Sequence, residues 1–230
     1  KLSLTVVSAL GTVMIPRIAN LYAKNKIEDI SKNLYNSFHL VFLIGLPIMF
    51  GIMAIATNLI PWFLGESFTE AIPILQIASV LVLAIGLSNI TGMQCLIPIN
   101  RQKDFTISVL AGSIINFVGN LLLIPYFKAI GAIISSVLAE FTVTFIQLWK
   151  VKKIIEPKIA FQPFFKCFLA SFIMFIAVFL LGTYFSPSLI SSCILIITGI
   201  IVYGILIIVL KEPFVFYGLS WLKKIIGGKK

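Results

Sequence analysis

Glu140 is the side chain with the most chemistry to offer. It stands in "AIGAIISSVLAEFTVTFIQLW" (129–149), among aliphatic neighbours. At about 100° per residue of an α-helix, Ser136, Thr144 and Gln147 fall within roughly 40° of it. A carboxyl group with hydroxyls and an amide on one helix face can bind a proton or a cation. It can equally hydrogen-bond the hydroxyls of a polar cargo. A second polar face lies just upstream, where Gly112, Asn116 and Asn120 are spaced by four, flanked by Ser113 and Gly119. A third joins Gln76, Ser79, Gly86 and Asn89, with Gln94 nearby. Small residues let helices approach closely and amides bond across them, so the same faces also read as packing seams.

Other chemistry is poorly served. His39 is the only histidine, which excludes a multi-histidine metal site within these residues. Cys95, Cys167 and Cys193 lie in or beside apolar runs without CxxC spacing, as small buried hydrophobes do. No GxxxxGK[ST] or GxGxxG stretch is present to hold a phosphate or dinucleotide. No catalytic residue, metal or cofactor is expected.

The elements that position these faces follow from composition. The chain is 60% hydrophobic and 11% charged, with a mean hydropathy of +1.10. Soluble domains are about 45–50% apolar and about 25% charged. The bilayer is therefore the expected solvent. Unbroken apolar runs of roughly 20 residues exclude the alternating strands of a barrel. The predicted fold class is an all-α, polytopic transmembrane bundle of one partial and six full spanning helices. The partial helix covers about 1–15, and the full ones about 37–64, 71–98, 105–125, 130–149, 165–185 and 189–210. The chain opens at Lys1 inside an apolar segment, which reads as a piece of a longer protein whose N-terminal lobe is missing.

Basic residues alternate between the loops. Arg17, Lys24, Lys26 and Lys32 precede the first full span, and Arg101 and Lys103 follow the second. Lys150, Lys152, Lys153, Lys158 and Lys166 follow the fourth, and Lys211, Lys223, Lys224, Lys229 and Lys230 follow the last. The intervening turns hold Lys128 alone. The positive-inside rule makes the rich side and the C-terminus cytoplasmic. The net charge of +10 then reflects topology and anionic lipid rather than nucleic acid. Trp62 and Trp149 sit at span ends as interfacial belts do, and "FVFYGLSWLKKIIGGKK" reads as an amphipathic cytoplasmic tail. A carboxylate at mid-bilayer costs about 2.5–3.5 kcal/mol, so the Glu140 face should meet a cavity or other helices. The last two spans, which apart from Lys166, Tyr184 and Tyr203 carry only Ser, Thr and Cys as polar residues, read as peripheral, lipid-facing helices.

Three stretches carry a family resemblance. "PWFLGESFTEAIPILQIAS" (61–79) resembles the short outer turn and following helix of the polysaccharide/oligosaccharide flippases. "NLLLIPYFKAIGAIISSVLAE" (120–140) is similar to their pattern of Asn, apolar run, Ile-Pro, basic residue, Gly-Ala and Glu. "MIPRIANLYAKNK" (14–26) resembles the cytoplasmic loop that opens their second lobe. The resemblance implies the second lobe of a fourteen-helix transporter of the multidrug/oligosaccharidyl-lipid/polysaccharide (MOP) superfamily. Its divisions would be 1–150, a polysaccharide-biosynthesis-type transmembrane domain, 151–211, two final helices, and 212–230, the basic tail. It further implies a non-enzymatic flippase in the bacterial plasma membrane. The cargo would be an undecaprenyl-diphosphate-linked oligosaccharide moved to the outer leaflet for capsule, O-antigen or exopolysaccharide synthesis. Its partners would be that lipid, the bilayer and the missing lobe. Glu140, Asn116, Asn120, Asn89 and Gln147 would line a substrate or ion pathway. Arg17, Arg101 and Lys103 would meet the diphosphate at the cytoplasmic mouth, or serve as topology charges alone. A multidrug-type exporter of the same superfamily and a membrane polysaccharide polymerase or ligase are the alternatives.

Overall fold

A computed structural model describes residues 14–213. The expected partial helix falls mostly outside them, as does most of the basic tail. The helical residues 14–23 form the described part of α1. There follow α2 (Ile27–Phe63), a 3-10 turn (Glu66–Phe68), α3 (Ala71–Ser88), a π-helical segment (Asn89–Leu96) and α4 (Gln102–Val151). Short α5 (Pro157–Ala160), α6 (Phe164–Gly182) and α7 (Leu189–Val209) complete the set. Among the described residues, five helical segments are long and apolar enough to cross a membrane.

The 50-residue α4 is two spans, not one. Its backbone leaves helical geometry at Lys128, with φ 48° and ψ −126°. Beyond that point the chain folds back on itself. Asn116 meets Ser136, Gln147 meets Ser108 and Lys150 meets Asp104, each pair lying about equally far on either side of Lys128. The two arms therefore restore the six full spans that hydropathy predicts, with Lys128 at the tip of the hairpin. Glycines make the close crossing possible. A Cβ at Gly131 would stand 2.5 Å from the Leu123 carbonyl oxygen, and one at Gly119 would stand 2.8 Å from Ser135 Oγ.

The 37-residue α2 begins about ten residues before the apolar run. Glu28, Asp29 and Lys32 lie on that extension, which hydropathy cannot see because water suits it. Higher up, α2 is the central post: α3 packs on one side and α6 and α7 on another. Its side chains Phe38, Phe42, Leu46 and Ala54 join Cys167, Ala170, Met174 and Val178 of α6 in the buried core. The last two spans are lipid-facing on one side only. One face of each is buried against α2, while residues such as Phe165, Ile200 and Ile201 remain exposed on the other. Hydropathy could not separate the faces, because lipid and a protein core select the same side chains.

Polar groups fasten this assembly where the backbone requires it. Pro47 brings no N–H to the helix, which leaves the Leu43 carbonyl without its ordinary partner. The Tyr203 hydroxyl of α7 donates to that carbonyl at 2.6 Å. Tyr203→Phe is expected to cost about 1–2 kcal/mol of stability in the purified protein. The cost should shrink in a Pro47→Ala background, where the backbone regains a donor for Leu43. Equal losses in both backgrounds, read by denaturant unfolding in detergent, would reject this account. Near the C-terminal end of α2, Asn58 donates to the Phe185 carbonyl at 3.2 Å and Trp62 Nε1 to Ser192 Oγ at 2.7 Å. Nearer its N-terminal end, His39 Nε2 lies 2.6 Å from Glu212 Oε1, joining α2 to the residues after α7.

Candidate functional site

Among the described residues the α4 hairpin packs chiefly on α3 and the π-helical segment. Between them opens a cleft of about 560 Å3. That volume lies within the usual range for small-ligand sites, about 300–1,000 Å3. Ser88 and Asn89 form its wall at the end of α3. Ser113, Asn116 and Asn120 come from the first arm of α4, and Ser136, Glu140 and Gln147 from the second. Apolar walls include Leu81, Phe105 and Phe117.

The sequence-predicted pathway residues thus meet in one place. Glu140 projects into the cleft, and Ser88 Oγ donates to its Oε2 at 3.4 Å. Asn120 Nδ2 donates to Asn116 Oδ1 at 2.9 Å, and Asn116 Nδ2 to Ser136 Oγ at 3.3 Å. Asn120 Oδ1 is buried and finds no donor among the described residues. Gln147 differs in kind. It is 0% exposed, its carbonyl accepts from Thr91 Oγ1 at 2.6 Å and its amide donates to Ser108 Oγ at 2.9 Å. It braces the floor of the cleft, tying both arms of the hairpin to the π-helical segment. Asn89 accepts from Gln94, which in turn accepts from Ser37 of α2 at 2.8 Å.

The third predicted polar face divides. Gln76 donates to the Met53 carbonyl of α2, and Ser79 is buried away from the cleft. Only Asn89 of that face turns toward Glu140's side. Thirteen residues separate Gln76 from Asn89, about 140° around an α-helix, so the two turn to different neighbours. The π-helical segment that begins at Asn89 carries i→i+5 bonds such as Ile97 N–H to the Gly92 carbonyl at 3.1 Å. Gly92 lies where a Cβ would come within 2.8 Å of the Phe105 ring and 2.9 Å of Gln147. Ser88, Thr91 and Ser108 belong to the site but escaped the sequence reading. Isolated hydroxyls on apolar helices satisfy their own turns and give no periodic signal.

The proposed cytoplasmic-mouth cations stand apart from the cleft's lining. Arg101 donates to Asp104 from Nε at 2.7 Å and to the Lys150 carbonyl at 2.8 Å, while Lys150 Nζ lies 2.9 Å from Asp104. This cluster clamps the two ends of the hairpin together. Arg17 and Lys103 are exposed. Trp149 lies at the same end, with the ammonium groups of Lys150 and Lys152 5.4 and 5.1 Å from its ring centre. No group of three or more His, Cys, Asp or Glu able to hold a metal occurs among the described residues.

Fold and cleft together define the class: a multi-pass helical bundle with a polar recess within apolar helices. Comparison with known proteins agrees. A solved structure of the lipid II flippase MurJ, in an inward closed conformation, superposes with a TM-score of 0.72 at 19% identity, over 93% of this chain and 47% of that one. A family described as "Polysaccharide biosynthesis protein" matches residues 2–73. An uncharacterised membrane protein of Methanocaldococcus jannaschii, MJ1068, is 26% identical over 87% of this chain and 39% of its own length. A protein of Escherichia coli K12 named "Putative O-antigen transporter" is 28% identical over 60% of this chain and 33% of its own. This chain therefore spans well under half of each curated relative. The family match, the relatives and the shared fold support the resemblance to the polysaccharide flippase family.

Proposed function

We propose that this chain is one lobe of a flippase that moves lipid-linked oligosaccharide units from the cytoplasmic to the outer leaflet. The observation that carries the reading is a polar cleft holding Glu140 between apolar helices, in a fold shared with a flippase. The cargo's sugars would enter polar space while its lipid chain stays in the bilayer. An undecaprenyl diphosphate carrier and a role in capsule, O-antigen or exopolysaccharide synthesis complete the reading. A second lobe would close the other side of the pathway, and rocking of the two would expose the cleft to each leaflet in turn. The setting would be a bacterial plasma membrane. The alternation of basic residues supports a cytoplasmic position for the end of α7.

Deletion of the full-length gene tests this directly. Lipid-linked oligosaccharide with complete repeat units should accumulate in the cytoplasmic leaflet. Normal export would reject the flippase reading and direct attention to drug efflux. Single repeats reaching the outer leaflet unpolymerised would instead identify a polymerase or ligase.

A further inference from the structure

The cleft has a definite electrical character. Its polar lining consists of the hydroxyls of Ser88, Ser113 and Ser136, the amides of Asn89, Asn116, Asn120 and Gln147, and the single carboxyl of Glu140. None of its described lining residues is Lys or Arg. Arg101, at the cytoplasmic end of the hairpin, is engaged by Asp104 and the Lys150 carbonyl. On this lobe's side, an occupant of the cleft meets neutral donors and acceptors plus one acid. Asn120 Oδ1, buried and without a donor among the described residues, suits a ligand hydroxyl. Phe105 and Phe117 offer flat apolar surface to the C–H face of a pyranose ring.

Resting on the flippase reading above, we propose that this cleft selects its sugar by charge. It takes uncharged or amino-bearing sugar residues of the lipid-linked saccharide and disfavours those bearing a carboxylate or phosphate. In either protonation state Glu140 can hydrogen-bond a hydroxyl, and in neither does it supply the positive charge that would offset a second acid. An anion placed in the cleft would exchange water for neutral amides beside an acid, and such like-sign juxtaposition is strongly unfavourable away from water. An amino sugar gains the opposite: its ammonium group would find a carboxyl partner. The carrier's diphosphate has no counter-charge here and would be held elsewhere.

The test uses the purified full-length protein in proteoliposomes. Three polyprenyl-diphosphate trisaccharides of equal length and linkage are supplied, differing only in a central glucose, glucosamine or glucuronic acid. The rate of appearance in the far leaflet is read for each. The glucose and glucosamine compounds should move at least about ten-fold faster than the glucuronate. Glu140→Gln should reduce that ratio several-fold. Ser113→Lys, on an exposed position of the cleft wall, should also shift the ratio toward glucuronate, and it carries the test should the first variant fail to fold. A wild-type ratio near one, or a ratio unmoved by the substitutions, would overturn charge selection while leaving flipping intact. If no trisaccharide is moved at all, the flippase reading falls and this inference with it.

Discussion

Gly131→Ala is expected to disrupt the α4 hairpin and with it the cleft. The added methyl would stand 2.5 Å from the Leu123 carbonyl oxygen and 2.6 Å from its carbon. Both are backbone atoms, so no side-chain rotation relieves the clash. Overpacking in a tight core costs about 1–3 kcal/mol, and a backbone obstacle belongs at the upper end or beyond. Gly119→Ala should cost less, because it meets the Ser135 side chain, whose Oγ can turn aside. Gly204→Ala supplies the control. Nothing lies within 4 Å of that methyl, and alanine is the better helix former by about 0.5–1 kcal/mol. Thermal unfolding of the full-length protein in detergent should rank the three as Gly131→Ala lowest, Gly119→Ala intermediate and Gly204→Ala at or above wild type. A Gly131→Ala protein as stable as wild type would mean that the arms do not cross as described.

His39→Leu should produce the other large loss. His39 and Glu212 are each only 1% exposed, and their 2.6 Å bond ties the N-terminal half of α2 to the chain leaving α7. Removing His39 deletes this buried bond and weakens the compensation for the desolvation of Glu212, at a cost of about 1–3 kcal/mol. The double variant His39→Leu/Glu212→Leu should recover part of that loss, since it leaves no carboxyl buried beside leucine. Purely additive losses in the double-mutant cycle would show that the two side chains are not coupled. The pair also explains why α7 ends where it does. Its final turn is followed by Lys211 at φ 49°, which redirects the chain so that Glu212 enters the core. The sequence places residue 212 at the start of the basic amphipathic tail, and nothing in its neighbours signals a partner 173 residues upstream.

What the sequence determined by itself follows from the solvent. Apolar runs long enough to cross a bilayer, separated by turns of alternating charge, leave the backbone few options other than spanning helices. Pro125 and Lys128 marked a break between two such runs, although the chain stays helical on both sides of it. The spacing of Ser136, Glu140 and Gln147 put them on one helix face whatever that face might meet. Tertiary structure decided the rest. Only the reversal at Lys128 brings Asn116 onto Ser136, and only the packing of the hairpin on α3 puts Ser88 and Asn89 in the cleft wall while Gln76 turns to α2. Tyr203 and Leu43, or His39 and Glu212, are partners across more than 150 residues of chain. Periodicity reports the angle of a side chain about its own helix axis. It carries no information about which neighbouring helix that angle will face, and in a bilayer, where lipid and core are equally apolar, composition does not supply it either.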